Sequence, residues 1–178
     1  LNYKNASFVT IDSECLSLGP RVARDGRESR PFFTTTTTTS VIAVANAVGV
    51  DRFHMVGESL GGNITCATAI AHPKRLLSIT PICAGHEGAY IHEVERWRAE
   101  LAFTGMTAWS NQMMNHRFYP GAITDAQWDW FNQVQVNTSP VVTVRLVEML
   151  MGVNITNTPV GIRTPTLILH RDSSPILP

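Results

Sequence analysis

The sequence predicts an α/β fold: an incomplete, mostly parallel, doubly wound sheet carrying a helical cap insertion. Three observations point there. Strand-like and helix-like runs alternate through the first half of the chain, at a spacing that suits parallel strands joined by crossover helices. A tight Gly57-Glu58-Ser59-Leu60-Gly61 stretch joins the apolar run Phe53-His54-Met55-Val56 to the small-residue helical run Gly62–Ala71. A long helical insert then interrupts the alternation before a strand pattern returns at Thr166-Leu167-Ile168-Leu169-His170. These divide the chain into a first part of the core over 1–84, a cap over 85–163, and a return strand with an acid-bearing loop over 164–178.

Taken in order, Ala6–Asp12 reads as a strand ending in a carboxylate. Ser13–Phe33 is polar, with Gly19-Pro20 and Gly26 as turn markers, and reads as a loop. Val41, Val44, Ala45 and Val48 keep helical spacing, and Gly49 stands where a left-handed C-cap is expected. The run Thr34–Thr39 is a poor helix start, because six β-branched residues lose rotamer freedom in a helix. After the Phe53–Val56 strand and its helix, closed by Pro73, Leu76–Cys83 reads as a further buried strand. In the insert, Ile91, Val94, Trp97 and Leu101 form one amphipathic face that stops near Gly105. Thr124-Asp125-Ala126-Gln127 has the form of a capping box, and Ser139-Pro140 opens a last helix that Gly152 ends.

Composition excludes several classes. Among 178 residues, 14 are basic and 14 acidic, with no basic stripe to meet a phosphate backbone, so nucleic acid is not an expected partner. No apolar run reaches the roughly 18 residues that a membrane helix needs. Cys15, Cys66 and Cys83 are an odd number without C-x-x-C spacing, which disfavours disulfides and zinc and suits a reducing, cytoplasmic setting. Cys66 and Cys83 read as small buried hydrophobes.

Ser59 is the candidate nucleophile. A serine at a strand-to-helix corner is held on strained backbone with its hydroxyl clear of the sheet, and Gly57 and Gly61 let strand and helix pass closely. A serine hydroxyl needs a base, usually a histidine oriented by a carboxylate. Asp172, leaving the return strand, is the candidate acid, and the N–H of Leu60 is the candidate oxyanion donor. The third member is missing. His54, His72, His86, His92, His116 and His170 all precede Asp172 and all suit structural roles. The general base and the second oxyanion donor are therefore expected outside this chain, which reads as clipped at both ends.

Val56-Gly57-Glu58-Ser59-Leu60-Gly61-Gly62-Asn63, with Ala71-His72-Pro73 behind it, resembles the α/β-hydrolase superfamily, most nearly its 3-oxoadipate enol-lactonase-type esterases and lactonases. The approach Ala47–Gly57 and the run Arg163–Asp172 are similar to the corresponding segments of those enzymes. The resemblance implies a Ser-His-Asp hydrolase that cleaves a small, fairly apolar ester or lactone, with no metal or organic cofactor. Serine at the elbow sets the chain apart from epoxide hydrolases and haloalkane dehalogenases, which carry aspartate. The segment Asp12–Ser17 departs from the family by lacking its glycine-rich loop.

Trp97, Trp109, Trp128 and Trp130 all fall in the insert, with Met106, Met113 and Met114 nearby. They suit either the glue of a small helical cap or an apolar pocket lining, and Trp109 and Met113 are the candidate lining pair. The expected partner is a small-molecule ester or lactone, without nucleic acid or membrane, and a homo-oligomer stays open. A noncatalytic ligand-binding protein, or a lyase, thioesterase or carbon–carbon hydrolase on the same fold, are the alternatives.

Overall fold

The computed structural model describes residues 8–11, 30–87, 94–156 and 161–173. Cys15, Ile91, His92 and most of the Ser13–Phe33 segment lie outside the described residues. The chain divides into two compact units, Leu1–Ala89 with Gly152–Asp172, and Tyr90–Met151 with Ser173–Pro178.

The first unit is built on a parallel sheet. Strands β1 (Phe8–Ile11), β2 (Phe53–Glu58) and β3 (Leu76–Ile82) lie in that order, with Met55 opposite Val9 on one side and Ile79 on the other. Residues 165–169 extend the sheet beyond β3. Parallel bridges join Ile79 to Thr166 and Ile82 to Leu169, and the Cys83 N–H donates to the Leu169 carbonyl. Helix α2 (Leu60–Ala71) packs on β2 and β3, and α1 (Arg30–Ala47) packs beside α2. Phe53, Met55, Ile64, Ala67 and Ile79 are fully buried between sheet and helix. Such near-continuous apolar strands are what a covered parallel sheet requires.

Helix α1 begins at Arg30, so it takes in the end of the expected loop and the whole threonine run. Its inward face is Thr37, Thr38, Val41 and Ala45. Val44 and Val48, expected on that face, are 49% and 68% exposed. Tertiary packing decides both points, since a helix laid against α2 is held by its buried face rather than by intrinsic propensity. Gly49 does close the helix in the left-handed region, at φ 73°. The Gly49 N–H bonds the Asn46 carbonyl and the Val50 N–H bonds the Ala45 carbonyl at 2.8 Å, the paired bonds of a Schellman cap.

Arg75, in the 3-10 turn Pro73–Arg75, clamps this cap. Its guanidinium donates to Asn46 Oδ1 at 2.8 Å, to the Val50 carbonyl at 2.9 Å and to the Asp51 carbonyl. Its ion pair with Asp51 adds little, because that carboxylate is 92% exposed and screened by solvent.

Residues 85–87, 152–156 and 161–163 fall within the insert's sequence limits yet group with the sheet. An antiparallel bridge between Glu87 and Asn154, a bond from the Ile155 N–H to the His86 carbonyl, and a 2.6 Å bond from Asn154 Nδ2 to Glu87 Oε1 fasten these two stretches together.

The second unit is helical: α3 (Val94–Phe103), α4 (Gly105–Arg117), α5 (Asp125–Val136) and α6 (Pro140–Met151). Thr124 and Gln127 form the expected capping box on α5, through side-chain bonds of 3.3 Å and 2.9 Å. Trp97, Leu101, Met106, Trp109, Met113, Met114 and Val147 make its apolar interior. Between α4 and α5, buried Ser110 donates to Asn132 Oδ1 at 2.6 Å and accepts from Gln135 Nε2 at 3.1 Å. Phe118 packs edge-on against Phe131 and at a tilt against Trp128. Trp130 is exposed and meets Phe131 edge-on.

Arg75→Ala is expected to lower the melting temperature by about 3–8 °C, from the loss of several charge-assisted hydrogen bonds. Thermal unfolding followed by circular dichroism measures it. Arg75→Lys should recover little, since an ammonium lacks the planar fork that spans three acceptors.

Candidate active site

Strand β2 ends at Glu58 and helix α2 begins at Leu60, so a single residue turns the chain between them. That residue is Ser59, at φ 53° and ψ −119°. Among the described non-glycine residues only Ser59 and Cys83 have positive φ. Holding a serine there costs about 1–3 kcal/mol, which the surrounding packing must offset. The Ser59 N–H donates to the Ile82 carbonyl at 2.8 Å, tying the turn to the end of β3. The Ser59 carbonyl accepts from the N–H groups of Gly62 at 2.9 Å and Asn63 at 3.2 Å, the first bonds of α2. The N–H groups of Leu60 and Gly61 precede that first turn and face out of the positive end of the helix dipole. Side chains of Ser59 and Leu60 are half-buried.

Close approach dictates two glycines. A Cβ at Gly57 would stand 2.2 Å from the Gly61 carbonyl oxygen and 2.6 Å from Thr65 Oγ1. Thr65 Oγ1 itself donates to that carbonyl at 2.8 Å. A Cβ at Gly62 would stand 2.6 Å from the Ala84 methyl. The role of Gly62 was not legible in the motif, which requires glycine only at 57 and 61. The doubled glycine Gly61-Gly62 was the available signal.

Asp172 follows residues 165–169 at the same end of the parallel sheet as Ser59, with β3 between them, and its side chain is exposed. Two strand spacings separate the lines of the two strands, about 10 Å. Among the described residues, no histidine is bonded to Ser59 or Asp172. His54 stands near the start of β2, five residues before Ser59, and its Nδ1 bonds Ser78 Oγ at 2.7 Å across the β2–β3 ladder. His72 is the C-cap of α2, its N–H bonding the Thr68 carbonyl. His86 and His170 are exposed, and His116 lies in the last turn of α4.

Cys66 lies in α2 with its side chain buried, and burial pushes the thiol above its usual pKa, which disfavours the nucleophilic thiolate. Cys83, expected to be a buried hydrophobe, is instead half-buried in the left-handed bend that follows β3. Trp109 and Met113 share a face of α4 and are buried in the helical unit. No group of three or more metal-ligating side chains occurs among the described residues. No described helix is long and apolar enough to cross a membrane.

A family profile described as alpha/beta hydrolase fold matches residues 39–107. Solved structures share the fold at low identity. The chain is similar to an enol-lactonase from Burkholderia xenovorans, with a TM-score of 0.69 at 15% identity over 98% of this chain and 86% of that one. It is similar to a hydrolase from Pseudomonas aeruginosa, with a TM-score of 0.63 at 18% identity over 74% and 51%. A thermophilic esterase from Thermogutta terrifontis gives a TM-score of 0.59 at 17% identity over 75% and 52%. The chain spans about half the length of the Pseudomonas hydrolase and 58% of one from Oleispira antarctica. None of the curated proteins compared with it matches. The chain thus carries an incomplete α/β-hydrolase fold.

Gly57→Ala should destabilise the sheet unit by about 3 kcal/mol or more, because backbone rather than a flexible side chain stands in the way. Urea unfolding would measure it, and an unchanged midpoint would contradict the close approach.

Proposed function

We propose that this chain is part of a serine hydrolase that cleaves a small, fairly apolar carboxylic ester or lactone through an acyl-enzyme on Ser59. The observation that carries the reading is the strained turn at Ser59, φ 53°, between a buried strand and an unpaired helix N-terminus. Nothing in the packing of β2 and α2 needs a serine at that φ, where glycine would be free of strain. The energy spent there is explained if the hydroxyl must be presented to a substrate.

In this mechanism Ser59 Oγ attacks the carbonyl carbon while its proton passes to a histidine. The Leu60 N–H, at the positive end of α2, donates to the developing oxyanion. The carbon–oxygen bond to the leaving alcohol breaks, and the histidine returns its proton to that oxygen. Water then attacks the acyl group, giving its proton to the same base, and the carboxylic acid leaves with Ser59 restored. Asp172 orients the histidine and stabilises its charged form. Strand lines two spacings apart leave room for one imidazole between side chains that follow them. None of the described histidines is bonded to either residue, so the reading requires one not yet identified. Trp109 and Met113 are the side chains it assigns to an apolar lining.

The similar structures include an enol-lactonase and an esterase, which supports acyl transfer as the reaction class. A fluorophosphonate probe should label the full-length protein at Ser59, located by peptide mass, and Ser59→Ala should abolish labelling. Equal labelling of the alanine variant would reject Ser59 as nucleophile. Asp172→Asn should lower ester turnover about a thousandfold or more with the fold intact, since the amide holds the wrong tautomer. Undiminished turnover would move the acid elsewhere.

A further inference from the structure

Asn63 is an amide in the buried stretch Gly61–Ala69 of α2, where the other polar side chains, Thr65 and Thr68, bond carbonyls of their own helix. It is only 1% exposed. A buried amide is tolerated when its hydrogen bonds are met, and an apolar side chain would fill such a position without that demand. Its Nδ2 donates to the carbonyl of Gly85, which lies beyond the end of β3.

The segment that receives this bond is itself unusual. Cys83 takes φ 46°, the only described non-glycine residue besides Ser59 in the left-handed region. The bend carries Ala84 so close to α2 that its methyl meets the bare Cα of Gly62. Ser59 is tied to the same place by its bond to the Ile82 carbonyl. Residues 83–85 therefore pass beside the first turn of α2, Ala84 against Gly62, and Asn63 fastens the far end of that passage.

We infer that Asn63 is a positioning residue: it holds the Cys83–Gly85 bend over the elbow, and the bend forms one wall of the space that receives the acyl group. This rests on the serine-hydrolase reading. The bond needs an N–H donor at the reach of an asparagine side chain. Alanine removes the donor, and serine falls short of Gly85 while able to bond back to its own helix. Without the tie the strained bend relaxes, the wall shifts, and the fit to acyl chains of different length changes.

The test compares kcat/KM for p-nitrophenyl acetate and p-nitrophenyl octanoate in the full-length protein, its Asn63→Ala and Asn63→Ser variants, and a Thr68→Val control. Thr68 is fully buried on the same helix and bonds the Ile64 carbonyl at 2.7 Å, away from the bend. All are assayed well below their melting temperatures. The expected result is a shift of about tenfold in the octanoate-to-acetate ratio for the Asn63 variants. Thr68→Val should lower the melting temperature with the ratio unchanged. A purely structural role would reduce both esters alike, so an unchanged ratio in a folded Asn63 variant overturns the inference. Failure of both Asn63 variants to fold overturns it as well, assigning the amide to stability alone. Fluorophosphonate labelling of the unaltered protein keeps the two readings apart: absence of labelling sinks the hydrolase, whereas labelling with an unmoved ratio sinks only the role of Asn63.

Discussion

The passage of β2 past the first turn of α2 is the constraint from which the rest of the sheet unit follows. At Gly57 the strand comes so near the Gly61 carbonyl that even a methyl group would have no room. Only one residue is left to reverse the chain, and it must take a left-handed conformation. That conformation frees the N–H groups of Leu60 and Gly61 and directs the turn's own N–H toward β3. A second close approach, Gly62 beneath Ala84, draws the end of β3 over the same spot. Sheet order, helix placement and the environment of Ser59 are one arrangement, and none can be loosened separately.

Much of this was legible in the sequence, for local reasons. The elbow reads from Gly57 and Ser59 because backbone sterics act over a few residues. Gly49 and the Thr124–Gln127 box read equally well, since a cap is a short-range device. What escaped depends on partners far along the chain. The threonine run looked hostile to a helix, yet Thr37 and Thr38 are buried against neighbours that no propensity scale sees. Val44 and Val48 fit the helical period and still face outward, because period alone does not say where a stripe begins.

At the candidate site the division is similar. The serine and the helix N–H groups follow from the motif, but Gly62, Asn63 and the bend at Cys83 acquire meaning only once β3 is laid beside β2. In the helical unit four tryptophans looked alike in sequence. They prove to be of three kinds: Trp97 and Trp109 buried, Trp128 half-buried against Phe118, and Trp130 exposed. Counting aromatic residues located an interior without saying which of them make it.

The fastening of residues 86–87 to 154–155 has a kinetic consequence. Ile79 pairs with Thr166 across the entire helical insert, and closing a flexible loop of that size opposes folding by about 4 kcal/mol. Once His86 and Ile155 are joined, the stretch still to be closed shrinks to the few residues on either side. The last strand then has a short search to its place beside β3. The insert therefore does not handicap the pairing of residues 165–169 with β3, provided its ends meet first.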